Sequence, residues 1–437
     1  MRKSWCLPAA ICLMMWISPA TGYAQTPSLV DLMFDTFDRN IGLAVTPAGV
    51  GVVAHTGTFP GLVATEQLVT NVSQQIGAQV STFPLGSSSG GFTYGYDAAL
   101  GTFSRTTQTF GPAFAERAAT IGKGKFSFAV NYIHQDYNSL DGKNLKNGEI
   151  KFILFHQPLD PPSYVEGDVI QAGLIMNLKS DTTALLFNYG VTDKLDVGLA
   201  LPIVHVSMNL TYSATILDFA THTFSPNTHR FADGSKSQDF NASGSASGIG
   251  DVVVRGKYTF FKRGAQGLAA GLDLRLPSGD EANMLGTGTT QTKVFLIASG
   301  LAGPKVAPHV NIGYTVAGGG EGRVGDQVNY VGGAEIAASR KVTVVGDIIG
   351  QTFRNSLRLE DSSIPHQYRQ GPTAPFETTT VQTISEAIGN LNSLLGAGGV
   401  KINPWGNLLI SAHVLFPLND SGLRSRIIPV VGIDYSF

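Results

Sequence analysis

From residue 124 to 437 apolar and polar positions change places one residue at a time. In LDVGLALPI, Leu195, Val197, Leu199, Leu201 and Ile203 fall on one side and Asp196, Gly198 and Ala200 on the other. GDVVVRGKYTFF sets Val252, Val254, Gly256, Tyr258 and Phe260 against Asp251, Val253, Arg255 and Lys257. LAAGLDLRL opposes Leu268, Leu272, Leu274 and Leu276 to Asp273 and Arg275, and VNIGYTV opposes Val310, Ile312, Tyr314 and Val316 to Asn311 and Thr315. A period of two is the signature of a β-strand, which sends successive side chains to opposite faces. Each segment runs about nine to eleven residues, the length a tilted strand needs to cross a bilayer's hydrocarbon.

The connections alternate too. Short links (GVTDK, FKRGAQG, AGPKV, ASRK, NPWG) take turns with long polar ones, which are read as loops at 213–247 and 355–390, and a medium one, PSGDEANMLGTGTT. Short turns on one side and long loops on the other are the asymmetry of outer-membrane barrels. Strands at 124–137, 148–156, 166–178, 182–190, 194–212, 248–260, 266–277, 290–302, 306–317, 327–338, 341–354, 391–402, 406–416 and 427–437 make about fourteen, with twelve to sixteen open. The predicted fold is all-β, a transmembrane antiparallel β-barrel over 124–437. Aromatic girdles are expected near strand ends at Tyr189, Tyr212, Tyr258, Phe353, Trp405 and Tyr435.

Before residue 123 the period changes. Leu29, Leu32, Met33, Phe37 and Ile41 recur at helical spacing, with Ser28 and Asp31 placed as a capping box. A second helical run follows with Leu68, Val69, Val72 and Ile76. Residues 25–123 therefore read as an N-terminal plug or a periplasmic segment. Ahead of them, Arg2 and Lys3 precede CLPAAICLMMWI and the small residues Gly22 and Ala24, the pattern of a signal peptide over 1–24 with cleavage after Ala24.

Composition agrees with a barrel. Only 14% of residues are charged, against about 25% in ordinary soluble domains, and beyond residue 24 no apolar run reaches the length of a membrane helix. The formal net charge of −2, with no basic tract, gives no footprint for nucleic acid. Both cysteines, Cys6 and Cys12, lie in the signal segment, so disulfides and thiolate chemistry are excluded from the mature chain.

Charges on the polar faces must avoid lipid, where Arg or Lys costs about 2–4 kcal/mol at the midplane. Asp196, Asp251, Arg255, Lys257, Asp273, Arg275, Glu335, Asp347 and Asp434 are accordingly expected to point into the barrel, either cross-linking the wall or lining a solute path. Catalytic patterns are weak. GSSSG around Ser88 has no helix after it, Gly320, Gly322 and Gly325 have no helix to serve, and Ser411 with His413 has no acidic partner. His222 and His229, sharing a loop with Asp233 and Asp239, are the best local metal cluster and are better explained by solvation. No enzyme, metal or cofactor is predicted.

IIPVVGIDYSF closes the chain with Ile427, Pro429, Val431, Ile433, Tyr435 and Phe437 on one face. A last strand of this kind resembles the signal read by the outer-membrane assembly machinery. FPLGSSSGGFTYGYDAALGTFSR, FGPAFAERAATIGKGKFSF, YGVTDKLDVGLALPI, GIGDVVVRGKY, DLRLPSGDEANMLGTG and PHVNIGY, in that order, resemble the MetA-pathway of phenol degradation family of outer-membrane transporters. That family is distantly similar to the fatty-acid and toluene channels, which carry an N-terminal plug. The resemblance implies passive uptake of small hydrophobic or aromatic solutes across the bacterial outer membrane, with outer-membrane lipid as surroundings. A water-filled porin is the alternative, as is a surface-interaction barrel binding a partner through its long loops.

Overall fold

The computed structural model describes residues 27–38, 62–87, 91–97, 102–105, 107–155, 168–219, 231, 233–264, 266–318, 325–370 and 374–437. The predicted signal peptide lies outside them, as do Cys6, Cys12, Ser88, His222, His229, Gly320 and Gly322.

Twelve strands close into an antiparallel ring: β1 Phe126–Leu140, β2 Asp168–Gly190, β3 Leu195–Asp218, β4 Val253–Arg263, β5 Gln266–Arg275, β6 Gln291–Ser299, β7 Val306–Ala317, β8 Gln327–Ser339, β9 Val342–Arg369, β10 Phe376–Ile402, β11 Leu408–Pro417 and β12 Ile428–Ser436. β1 pairs with both β12 and β2, which closes the ring. The count of about fourteen resolves to twelve because 166–178 and 182–190 are one unbroken strand, while Ile150–Phe155 pairs with β2 outside the ring. Closure matters physically, since lipid cannot satisfy a free sheet edge.

The burial pattern is inside-out. Val197, Leu199, Val254, Leu272, Leu296, Ile312, Ile348, Ile410 and Ile433 are exposed on the outer face, while Asp196, Lys257, Asp273, Asn311, Glu335 and Asp347 are buried on the inner one. Leu272, half exposed in the middle of β5, is expected to lie in lipid. Leu272→Arg should therefore lower stability by about 2–4 kcal/mol, measured by urea unfolding in lipid vesicles. An unchanged midpoint would contradict this orientation.

Further along β2 and β3 the two faces exchange character. Below Ile203 the outer face of β3 is apolar. Beyond it His205, Ser207, Asn209, Thr211 and Ser213 point out, and Val206, Met208, Leu210, Tyr212 and Ala214 are buried inward. β2 changes over the same level, with Leu178, Met176 and Leu174 buried inward and Lys179 and Asn177 outward. This phase inversion marks where lipid ends and water begins. Above it β2 and β3 are flanked by Ile150–Phe155 and Ser237–Ile249, giving a four-stranded extracellular sheet.

The segments 213–247 and 355–390, read as loops from sequence, thus hold strand at 213–218, 237–247, 355–369 and 376–390. β9 and β10 stay paired up to Arg369 and Phe376. Outside the membrane neither face need be uniformly apolar, so the alternation that identifies a lipid-crossing strand is lost. Two of the predicted girdle residues also point inward. Tyr212 is buried with its hydroxyl donating to the Met33 carbonyl at 3.2 Å, and Phe353 packs on Leu391. Tyr189, Tyr258, Trp405 and Tyr435 are exposed near the short-turn end.

Two helices, α1 Leu29–Asp38 and α2 Leu62–Ser81, sit under this extracellular sheet. The capping box forms, with the Asp31 amide donating to Ser28 Oγ at 3.1 Å and Ser28 Oγ donating back to the Asp31 carboxylate at 2.7 Å. Leu29, Met33, Val69, Val72, Ile76 and Val80 join Phe152, Met176, Met208, Tyr212, Leu359 and Ile384 in one apolar core. α1 approaches closely because the strand opposite it carries small residues. A Cβ on Gly244 would lie 3.0 Å from Leu29 Cδ2 and 3.1 Å from Leu32 Cδ2. The main apolar core of this protein is thus an extracellular dome above a polar barrel.

Candidate functional site in the barrel lumen

From Ser81 the chain leaves the dome and enters the lumen. Residues 82–87 descend beside β1, where Asn131 Nδ2 donates to the Leu85 carbonyl at 3.1 Å and the Ser87 amide to the Ala113 carbonyl at 2.9 Å. Gly86 is required here. Its φ is +103°, and a Cβ would meet Asn131 Nδ2 at 2.6 Å. A small hairpin, Tyr94–Asp97 with Thr102–Arg105, reaches the short-turn mouth, with Arg105 Nη2 donating to the Gly406 carbonyl at 2.7 Å.

Residues 107–121 then cross the inside of the barrel as an irregular brace. They carry no regular secondary structure, so their buried amides and carbonyls need partners from elsewhere. The wall supplies them in sequence. The Phe110 amide donates to Thr343 Oγ1 at 3.2 Å, Gly111 to Glu335 at 3.1 Å, Phe114 to Asp347 at 3.2 Å and Glu116 to Asn311 at 2.6 Å. Ala118 donates to Ser299 Oγ at 2.9 Å and Ile121 to Asp196 at 3.1 Å. Lys401 and Lys257 donate to the Pro112 and Ala119 carbonyls at 2.7 and 3.0 Å. Side chains reinforce the backbone contacts: Arg117 pairs with Glu335 and Arg255 with Glu116.

Each sequence-selected charge has a definite place. Asp196 pairs with Lys257 at 3.1 Å, and Asp273 holds Arg255 through two contacts, one of 2.6 Å. Arg275 donates to the Ser81 carbonyl at the end of α2 at 2.9 Å, and Asp434 accepts the Gly91 amide at 3.2 Å. Asp347 accepts from His309 Nε2 at 2.6 Å as well as from the brace. Asp251 does different work. At the break between Ser237–Ile249 and β4, it accepts from the Gly279 and Thr287 amides at 3.1 and 2.9 Å and folds the 277–290 loop inward, burying Met284 and Leu285 against the helices. Asp196 with Lys257, Asp273 with Arg255 and Asp347 with His309 cross-link the wall, and all nine charges but Asp251 and Asp273 also contact the N-terminal segment.

Sequence reasoning missed the partners on that segment, Glu116 and Arg117, and the neutral wall donors Asn311, Thr343 and Ser299. Periodicity favours long regular elements, and an irregular brace has none. Ser411 and His413, considered for lipid-facing chemistry, both line the inner side of the wall beside Phe114. Asp233 accepts the Ser235 amide at 2.8 Å, and among the described residues no group of three metal-ligating side chains assembles. Outside the spanning strands, burial pushes the Arg424 guanidinium down to about 10, where it donates to Ser393 Oγ at 2.7 Å and Asn419 Oδ1 at 2.8 Å.

Between residues 82–86, Phe114 of the brace and the barrel wall lies a cavity of about 160 Å³. Its polar side belongs to inward positions of β4 to β9, its apolar side to Val331 and Ile349 on β8 and β9 and to Phe83 and Phe114 of the N-terminal segment.

A closed ring with an apolar outer belt, a polar inner wall and part of its own N-terminal segment inside defines a β-barrel of the bacterial outer membrane. Residues 166–375 match the family model described as "Putative MetA-pathway of phenol degradation", and the chain resembles that family. An outer membrane channel from Pseudomonas putida F1 is similar in structure at 11% identity and a TM-score of 0.41, over 73% of this chain and 98% of that one. A Pseudomonas aeruginosa FadL homologue aligns at 9% identity and a TM-score of 0.32, over 72% and 90% of the two chains. The Ralstonia pickettii toluene transporter TbuX aligns at 13% identity and a TM-score of 0.27, again over 72% and 90%. No curated protein matches the sequence.

Proposed function

We propose that this protein is a channel for passive uptake of small hydrophobic or aromatic compounds across the outer membrane. The observation that carries the reading is the extracellular dome. Its packed core is apolar and partly aromatic, with Phe152 and Tyr212 ring centroids 6.1 Å apart and Met33, Met176 and Met208 in the same cluster. Thioethers and aromatic rings on adaptable elements suit apolar cargo of varied shape. A phenol-degradation family description agrees with aromatic cargo. Solutes would partition into the dome, move to the cavity beneath it and leave past residues 107–121, which must yield for passage. The terminal strand, with Tyr435 and Phe437 facing outward, would serve recognition by the assembly machinery.

The test is uptake of dilute labelled toluene by intact cells with and without the protein. Faster, saturable uptake is the expected result. Equal rates across several aromatics would remove this reading. A stable, large ionic conductance from the unmodified protein would favour the water-filled porin instead.

A further inference from the structure

We propose that Phe114 is the size-selecting residue of the solute route, its ring filling at rest the seat that a single-ring aromatic takes in passing. The proposal rests on the uptake reading above and assigns the point at which residues 107–121 yield.

Two cavities lie inside the barrel on either side of this residue. The one of about 160 Å³ sits towards the extracellular end, beside Asp273 and Arg275 at the end of β5 away from its short turn. An apolar cavity of about 150 Å³ accepts benzene, so one ring is the right scale for it. A second cavity, of about 30 Å³, sits nearer the short-turn mouth, beside Ala129 of β1 and Ser411 and His413 of β11. It has room for water and none for a ring.

Among the described residues, Gly86 and Phe114 alone line both cavities. Gly86 has no side chain to withdraw, and its backbone lies close against Asn131. Phe114 therefore supplies the side chain that parts the two spaces. The residue is 8% exposed, and its ring stands edge-on to His413 with 6.3 Å between ring centroids. It shares an apolar cluster with Ile133, Ile349, Leu395 and Ile428 of the wall.

The seat is therefore already shaped to a ring. Toluene has the same carbon skeleton as phenylalanine from Cβ outward, so exchanging one for the other preserves the close packing an interior requires. Backbone contacts on either side set the resting place of the ring. The Phe114 amide donates to Asp347 at 3.2 Å, and the Ala113 carbonyl accepts from the Ser87 amide at 2.9 Å. Displacement of the brace breaks these contacts and draws the ring from its seat, which an incoming ring then fills on its way to the lower mouth. A solute with two fused rings overfills that seat, and overpacking is costly. The route should accordingly discriminate by size at this residue.

The experiment is uptake of labelled toluene and labelled naphthalene by intact cells, each measured against cells lacking the protein. Phe114→Ala empties the seat and should raise the naphthalene-to-toluene ratio at least about tenfold, the lower end of what one methylene is worth in a fitted apolar pocket. Phe114→Trp overfills the seat and should slow toluene severalfold. Leu415→Ala is the control, because it opens a hole in the same buried cluster but lines neither cavity. It should keep the parent ratio. Each variant is checked for the folded electrophoretic mobility of the parent. An unchanged ratio in Phe114→Ala, or an equal rise in Leu415→Ala, would overturn the proposal. Should Phe114→Ala not fold, Phe114→Trp decides, and toluene uptake as fast as the parent's would overturn it. Parent uptake no faster than that of cells lacking the protein removes the channel reading and the role of Phe114 with it. Intact parent uptake with an unchanged ratio removes the role of Phe114 alone.

Discussion

Arg117→Ala should convert a plugged barrel into a conducting one. Arg117 and Glu335 are 4% and 1% exposed at the side chain, and the arginine also donates to Thr107 Oγ1, Thr109 O and Thr109 Oγ1. It therefore fastens the start of the brace to β8 and to itself. Truncation leaves Glu335 buried beside the Gly111 amide and His309, and breaking such a pair costs about 3–5 kcal/mol. The wall's ladder of strand pairs does not depend on Arg117, so the cost should fall on the seating of residues 107–121. In planar bilayers the parent protein is expected to give little current and the variant stable open steps. An equally quiet Arg117→Ala channel with native mobility would mean that the brace is held by its backbone contacts alone.

Ile76→Asp should release the dome while leaving the ring standing. Ile76 is fully buried in the core shared by α1, α2, β2, β3 and the β9–β10 arm. A carboxylate there loses the packing of an isoleucine and gains an unpaired charge, which together cost more than about 3 kcal/mol. Strand pairing, set by backbone hydrogen bonds and the lipid belt, is independent of that packing. Two outcomes are expected in isolated outer membranes: protease cleavage within the N-terminal helices at the cell-surface side, and loss of toluene uptake. Resistance equal to that of the parent would contradict the dome as the element that holds the helices.

The lipid-crossing part of the fold was legible because lipid imposes a rule on every second residue. In β5, Leu268, Leu272 and Leu274 could only be the outer face once Asp273 and Arg275 were seen between them. The capping box at Ser28 and Asp31 was legible for a local reason, two side chains satisfying one helix end. The extracellular strands were hidden because the rule inverts at Ile203 and Val204, and residues such as Ser237–Ile249 pack small side chains on a helix rather than on lipid. The nine charges stand out in the sequence by their place on polar strand faces, but their partners do not. Asp196, Glu335 and Asp347 bind amides of an irregular segment 75, 224 and 233 residues away in sequence, and a backbone amide leaves no trace in residue identity.

The central claim is that solutes leave past a segment that must move. Ala118 on the brace faces Gly267 on β5, where an added Cβ would lie 3.1 Å from Ala118 Cβ. A shift of a few tenths of an ångström brings this to the Cβ separation of about 3.5–4.5 Å that disulfides use. The chain has no cysteine after Cys12 to interfere. The measurement is toluene uptake by cells carrying Ala118→Cys with Gly267→Cys, oxidised and then reduced. Uptake that vanishes on oxidation and returns on reduction is the predicted result. Equal uptake in both states, with the cross-link verified, would contradict a moving plug.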